Sequence, residues 1–293
     1  MTIVVGYGAE RGGRGVLHLA AALARSAGDE LILCTVVPAP WPPSPAKVDA
    51  EYRAELDRTA REAVDHARAQ LAADVVATTR VQHARSVPAG LLEAAQQHDA
   101  DLIVVGSSSA GVFGHVALGS VSSRLTHSSP VPVSLPPRGY RCKPADRVTR
   151  VTVAFGGSEG ADDVVASAAG FGARLGASLR LASFAVRPRP PFTSGVGREG
   201  EEAMIEQWVE EIGAAGRAAL EKAGGLEAAS RQPELVIGRG ESWAEALEDV
   251  EWRNGDMLLV GSSSTGPIAR VFLGSRSSKI VRDSPVPVVV FPR

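Results

Sequence analysis

One stretch of this chain occurs twice. Val105-Gly106-Ser107-Ser108-Ser109-Ala110-Gly111 continues through Leu118-Gly119-Ser120 to Ser129-Pro130-Val131-Pro132-Val133. Val260-Gly261-Ser262-Ser263-Ser264-Thr265-Gly266 continues through Leu273-Gly274-Ser275 to Ser284-Pro285-Val286-Pro287-Val288. Matched positions lie 155 residues apart, so the 293-residue chain reads as two copies of one unit. We place the two domains at 1–138 and 148–293, joined by the polar linker Pro136 to Arg150.

The same order of elements is expected in each copy. Ile3 to Val5 reads as a strand with a glycine-rich exit, and Val16 to Ala24 as a helix ending near Gly28. Leu31 to Val37 reads as a strand, Glu51 to Ala73 as a long amphipathic helix and Val75 to Val81 as a strand. Val87 to Gln97 forms a helix capped by Ser86, Asp101 to Val105 a strand, and a helix opens at Gly119-Ser120 before a last strand from Val131 to Leu135. The second copy repeats this with strands at Val151 to Phe155, Leu179 to Val186, Leu235 to Gly238, Asp256 to Val260 and Val286 to Phe291. The early offset is 148 residues and the late one 155, so seven residues enter the second copy after its second strand. Strands alternating with helices imply an α/β fold in which each copy is a five-stranded, mainly parallel, doubly wound sheet between helices. Proline belongs on an edge strand, and an exposed apolar edge is a pairing site. The two last strands are therefore expected to pair with each other, making an intrachain pseudo-dimer.

Each Gly/Ser-rich turn follows an apolar strand, and each Gly-Ser pair stands at the mouth of a helix. Small residues let a ligand approach the main chain, and free amides at a helix mouth favour an anion such as phosphate. His115 and Arg270 lie between turn and helix mouth in the two copies and are candidates to reach that anion. The turns contain no carboxylate, no Lys-bearing P-loop and no Gly-x-Ser-x-Gly elbow, so no group is placed for acid-base or nucleophilic work, and no enzyme is expected. The six histidines show no metal-ligand spacing.

These residues carry a resemblance. The Gly-Ser helix mouth, the Ser-Pro-Val-Pro-Val final strand and Gly157-Ser158-Glu159 together make the chain similar to a tandem universal stress protein, over nearly its whole length. The family motif, Gly-x2-Gly-x9-Gly-Ser/Thr after strand four, implies an adenine-nucleotide site: ATP, or AMP or ADP, with Mg²⁺ as a companion. Carried over by position, Gly106, Ser108, Ser109, Gly119 and Ser120 form the first phosphate and ribose loop, with Tyr7, Gly8 and Val36 at the base. Gly261, Ser263, Ser264, Gly274 and Ser275 form the second, with Phe155, Gly156 and Phe184 at its base. Ser109 and Ser264 stand where the motif has its second glycine, so a positive φ there would be strained, and Gly111 and Gly266 are the nearest substitutes. Gly8 and Gly156 stand where the family usually has an aspartate.

The resemblance implies a stress-response regulator that binds nucleotide without efficient turnover and acts through an unknown protein partner, as an intrachain pseudo-dimer or a homodimer. The alternative is a nucleotide-free interaction scaffold, and the acidic outer side of Glu199 to Ala223 is the stretch that could present a partner-binding face. A net charge of −2 gives no support for a nucleic-acid or anionic-membrane partner. Two cysteines, an N-terminal strand in place of a signal peptide and the lack of a long apolar run point to the cytoplasm.

Overall fold

The computed structural model describes residues 1–8, 13–38, 47–157, 160–187, 198–223, 234–262 and 274–292. The first half runs β1 (Ile3–Gly6), α1 (Gly15–Ala27), β2 (Leu31–Pro38), α2 (Lys47–Ala69), β3 (Ala77–Ala84), α3 (Val87–Gln97), β4 (Leu102–Val105), α4 (Ser120–Ser128) and β5 (Val133–Leu135). The second half runs β6 (Arg150–Ala154), α5 (Ala161–Leu175), β7 (Ser178–Val186), α6 (Arg198–Lys222), β8 (Glu234–Gly240), α7 (Trp243–Glu248), β9 (Asp256–Gly261), α8 (Ser275–Asp283) and β10 (Val288–Phe291).

Local chemistry sets the element ends. Gly28 closes α1 in the left-handed region at φ 74°, and Gly176 closes α5 in the same way at φ 62°. The Ser86 hydroxyl accepts the Ala89 amide at 3.4 Å to open α3, and Ser242 accepts that of Glu245 at 3.2 Å to open α7. Several boundaries differ from the sequence expectation: α2 begins at Lys47 rather than Glu51, and β3 runs on to Ala84 rather than Val81. α2 stops at Ala69, where the amides of Gln70 and Leu71 bond back three residues to Ala67 and Arg68, and β3 starts only at Ala77. No glycine or proline marks this exit, so helical periodicity alone overruns it. The last strands begin at Val133 and Val288 rather than Val131 and Val286. Ser129 and Ser284 each tie the residue two ahead into a turn, donating to its carbonyl and accepting its amide, and this delays the extended run.

All ten strands form one sheet in the order β3-β2-β1-β4-β5-β10-β9-β6-β7-β8. Every pairing is parallel except the central one, where β5 and β10 run antiparallel with Val289 opposite Ser134. The intrachain pairing read from the two proline-bearing edges is present. Pro132 and Pro287 sit just before the strands and serve only as acceptors, from the amides of Ile103 at 2.9 Å and Leu258 at 2.8 Å. The Ser134 hydroxyl is buried in the seam and donates to the Val288 carbonyl at 3.0 Å.

Residues alternate between two cores, one on each face of the sheet, and each core continues across both halves. Ile3, Val5, Leu33 and Val104 share one face with Val151, Val153, Leu259 and Val289. Val4, Ile103, Leu125 and Leu135 share the other with Leu258, Val260, Val281 and Val288. α1 packs on α5 across the junction, Arg174 pairs with Asp101 at 2.9 Å, and the Val148 amide donates to the Ser26 hydroxyl. The added length of the second copy falls between β7 and β8: Val36 pairs with Gln82, but Phe184 pairs with Gly238. No described helix is long and apolar enough to cross a membrane.

The shared sheet makes a prediction. Val289→Asp places an unpartnered carboxylate at a fully buried seam position and should cost about 3 kcal/mol or more. Urea unfolding should show tryptophan emission, dominated by Trp208, Trp243 and Trp252 of the second half, shifting together with exposure of Cys34 in the first. Separate transitions for the two probes in the unsubstituted chain would mean that the halves fold independently.

Candidate functional site

The order within each half brings two strand ends together. β1 lies between β2 and β4, and β6 between β7 and β9, so the chain direction of the connections reverses beside β1 and β6. In open α/β sheets the crevice at such a reversal, beyond the carboxyl ends of the strands, is where ligands bind. Here it is flanked by the exits of β1 and β4 in the first half and of β6 and β9 in the second.

The β1 exit is anchored by an aromatic residue. Tyr7 is buried, its amide donates to the Cys34 carbonyl at 2.9 Å, and its carbonyl accepts the Thr35 hydroxyl at 2.7 Å. Phe155 repeats this: its amide donates to Ala182, and its carbonyl accepts the Ser183 hydroxyl at 2.7 Å. The resemblance places these main-chain segments at a base, but the amides of Tyr7 and Phe155 are already engaged by the second strand. The groups left at the rim are Gly8 and Gly156. Gly8 is exposed, and a Cβ built on Gly156 would meet nothing within 4 Å. Val36 and Phe184 occupy equivalent positions, with side chains packed against the helix that follows the third strand of each half. Val36 lies over Gly90 of α3, where an added Cβ would come within 2.6 Å of it. Phe184 tilts against Trp243 of α7, ring centroids 6.5 Å apart.

The loop from β4 to α4 folds onto itself. Gly106 leaves the strand exposed, with nothing within 4 Å of a Cβ. Ser107 turns inward, donating to the Pro136 carbonyl at 2.5 Å and accepting the Ala117 amide at 3.2 Å. The Ser108 amide donates to Ala117, and the Ser108 hydroxyl accepts the Ala110 amide at 3.3 Å. Gly119 rests on the Ser108 side chain, leaving room for no more than an ordinary contact, 3.4 Å from a Cβ. Ser109 and Ser120 remain exposed on the rim.

Three expectations about this loop are corrected. Asp99 is the one described non-glycine residue with a positive φ, so Ser109 holds an ordinary backbone and carries no strain there. The left-handed position belongs to Gly114, φ 87°, and not to Gly111, whose smallness serves close packing: a Cβ would run into that of Ala117. His115 turns away from the rim. Its Nδ1 lies 3.2 Å from the Asp283 carbonyl, so with its proton there it donates to the last turn of α8.

Sequence reasoning also missed Arg138. Its carbonyl accepts the Gly114 amide at 2.9 Å, its amide donates to His115 at 2.8 Å, and its guanidinium donates to the Gly111 carbonyl. A linker arginine next to Pro136-Pro137 is the only trace of this in the sequence.

At the helix mouth, Gly119 has no side chain with which to cap α4. Its own amide donates to Ser122 at 2.8 Å, and the first-turn amides of Ser120 and Val121 have no side-chain acceptor among the described residues. Such amides are the standard seat for an anion. In the second half Gly261 ends β9 and Gly274 precedes α8, with exposed Ser275 as its first residue. Ser277 departs from its counterpart Ser122 by donating to the Gly261 carbonyl at 3.3 Å. Ser263, Ser264, Gly266 and Arg270 lie outside the described residues, as do Ser158 and Glu159 of the β6 exit. Among the described residues no group of three His, Cys, Asp or Glu side chains could hold a metal ion. The rim offers amides, hydroxyls and open space, which suit an anionic ligand held by hydrogen bonds.

The packing of Gly111 is testable. Gly111→Ala should destabilise the protein by about 1–3 kcal/mol through the forced contact with Ala117. Adding Ala117→Gly should restore most of that, read as the coupling term of a double-mutant cycle in urea. Additive losses would show that Gly111 is needed for another reason.

Comparison with known proteins agrees with this architecture. The model of the Universal stress protein family matches residues 1–135 and again 147–292. Universal stress proteins of Mycobacterium tuberculosis and Mycobacterium bovis are 41% identical over 297 residues, covering all of this chain and all of theirs. Among solved structures, a universal stress protein from Archaeoglobus fulgidus superposes with a TM-score of 0.61 at 21% identity, over 100% of this chain and 98% of that one. A protein described as a putative universal stress protein from Pseudomonas aeruginosa gives 0.57 at 13% identity, over 99% of this chain and 92% of that one. The doubled sheet, the repeated crevice and these matches lead to one conclusion: the chain belongs to the universal stress protein family, with two family units in tandem.

Proposed function

We propose that this protein is a stress-response regulator that binds an adenine nucleotide, ATP or AMP, at the crevice of one or both halves and does not turn it over efficiently. The observation that carries the reading is the open space at Gly106, at the strand-order reversal and on the loop that ends in the uncapped mouth of α4. In this reading the amides of Ser120 and Val121 and the hydroxyls of Ser108, Ser109 and Ser120 hold phosphate and ribose. Gly106 and Gly119 let the main chain come close, while Tyr7, Gly8 and Val36 border the base. The second site uses Phe155, Gly156 and Phe184 together with Gly261, Ser263, Ser264, Gly274 and Ser275.

With Gly8 and Gly156 in those positions, the described residues of the strand-one exits supply no carboxylate for a metal. Mg²⁺ would travel on the phosphate oxygens and water. The described rim holds no base to activate a water, and His115 is committed to Asp283, which is why turnover is not expected. The nucleotide would change which protein partner the chain engages in the cytoplasm. A nucleotide-free scaffold is the second reading, and it is strongest for the second half, where the Phe184–Trp243 pair takes the place of a valine beside a glycine.

The first test is the small-molecule content of the purified protein. Denaturation and chromatography should release ATP, ADP or AMP, and titration calorimetry with ATP and Mg²⁺ should give heat. Gly106→Val should leave the melting temperature nearly unchanged, because its Cβ meets only open space. The same change should weaken ATP binding at the first site by about tenfold or more, a loss of about 1.4 kcal/mol. Gly156→Val and Gly274→Val should do the same at the second site. Equal affinity in all three variants would remove nucleotide binding and leave the scaffold.

A further inference from the structure

A separate cavity of about 360 Å³ lies between α1, the turn after α2 and the interdomain linker. It shares no residue with the crevices described above. Its walls are Arg14, Leu17, His18, Ala21 and Arg25 along one face of α1, Gln70 to Ala72 after α2, and Cys142, Lys143 and Pro144 of the linker. Its volume is that of a small-molecule site.

The lining is chemically one-sided. Among the described residues it contains four basic side chains, Arg14, His18, Arg25 and Lys143, and no carboxylate. Arg25 is already neutralised by a two-point pair with Asp74, Nε at 2.6 Å and Nη2 at 3.1 Å. His18 is held below its ordinary value by burial and by the charges of Arg141 and Arg14, so it stays neutral near pH 7. Arg14 and Lys143 remain. Both are exposed at the mouth, and neither has an ion-pair partner among the described residues. Beneath them Leu17, Ala21, Leu71 and Ala72 supply an apolar floor. Like charges gathered over an apolar surface are relieved by an anion that brings its own apolar body.

We propose that this cavity binds a small amphiphilic organic anion, its acidic group between Arg14 and Lys143 and its apolar part on Leu17, Ala21, Leu71 and Ala72. The linker is one wall of the site. Cys142 docks it on α1, its thiol donating to the His18 carbonyl at 3.2 Å, and α1 in turn packs on α5 of the other half. A bound anion therefore clamps the linker against the helix at the domain junction. This site is independent of the nucleotide reading and stands or falls without it.

The probe is 1-anilinonaphthalene-8-sulfonate, with N-phenyl-1-naphthylamine as a neutral molecule of nearly the same shape. Cys142 reports locally, because burial and Asp146 keep its thiol protonated and slow to alkylate but it borders the cavity, whereas Cys34 is fully buried. The sulfonate should saturate one site per chain and slow Cys142 alkylation by iodoacetamide, read by mass spectrometry, about tenfold or more. The neutral analogue should bind about tenfold more weakly, and R14Q/K143Q should bring the sulfonate down to the same level. R14K/K143R, which keeps both charges, should retain binding. Protection of Cys142 that is equal for the two probes, or unchanged in R14Q/K143Q, would overturn the proposal, as would no protection at all.

Discussion

The antiparallel contact between β5 and β10 is what the rest of the molecule hangs on. A five-stranded doubly wound unit ending in an apolar strand has an edge whose amides and carbonyls need partners. Placing two such edges in one chain removes the exposure: Val133, Ser134 and Leu135 face Val290, Val289 and Val288, and the cores on both faces become continuous. The prolines before each strand fit because only their carbonyls are used. The seam also fixes where the two crevices lie, each at the strand-order reversal of its own half.

Within that frame, the candidate site is defined by which polar groups the protein leaves unspent. The second strand claims the amides of Tyr7 and Phe155 and caps their carbonyls with Thr35 and Ser183, so the exits of β1 and β6 are rigid. The β4–α4 loop ties Ser107 and Ser108 to Ala117 and to the linker. What remains is a narrow set: the first-turn amides of α4, a few hydroxyls and the open side of Gly106 and Gly156. This is a binding surface already shaped by its own hydrogen bonds, and such preorganisation lowers the ordering cost of a ligand.

Much of the architecture was legible because the repeat doubles every signal. Ser86 announces a helix and Gly28 a stop, the structure repeats both at Ser242 and Gly176, and the paired Ser-Pro-Val-Pro runs announce the seam. Errors of two or more residues arose where no stop residue exists, as after Ala69, or where a side chain folds back locally, as at Ser129. The glycine placement in the loop was misread in a consistent way. Gly111 looked like a conformational glycine and is a packing glycine, while the positive φ belongs to Gly114, which the sequence reading did not single out. Which role applies depends on Ala117 and Arg138, and neither is visible from the glycine itself. His115 was misassigned for the same reason, since its acceptor, Asp283, lies 168 residues away in the chain.

That bond to Asp283 has a mechanical meaning. α8 begins at Gly274-Ser275, the mouth of the second crevice, and ends at Asp283, where a residue of the first loop is hooked to it. One helix therefore spans from the doorway of one chamber to the wall of the other, like a rod between two rooms. The two halves are therefore tied together away from the seam, by this contact between the first loop and the end of α8, as well as by the sheet they share.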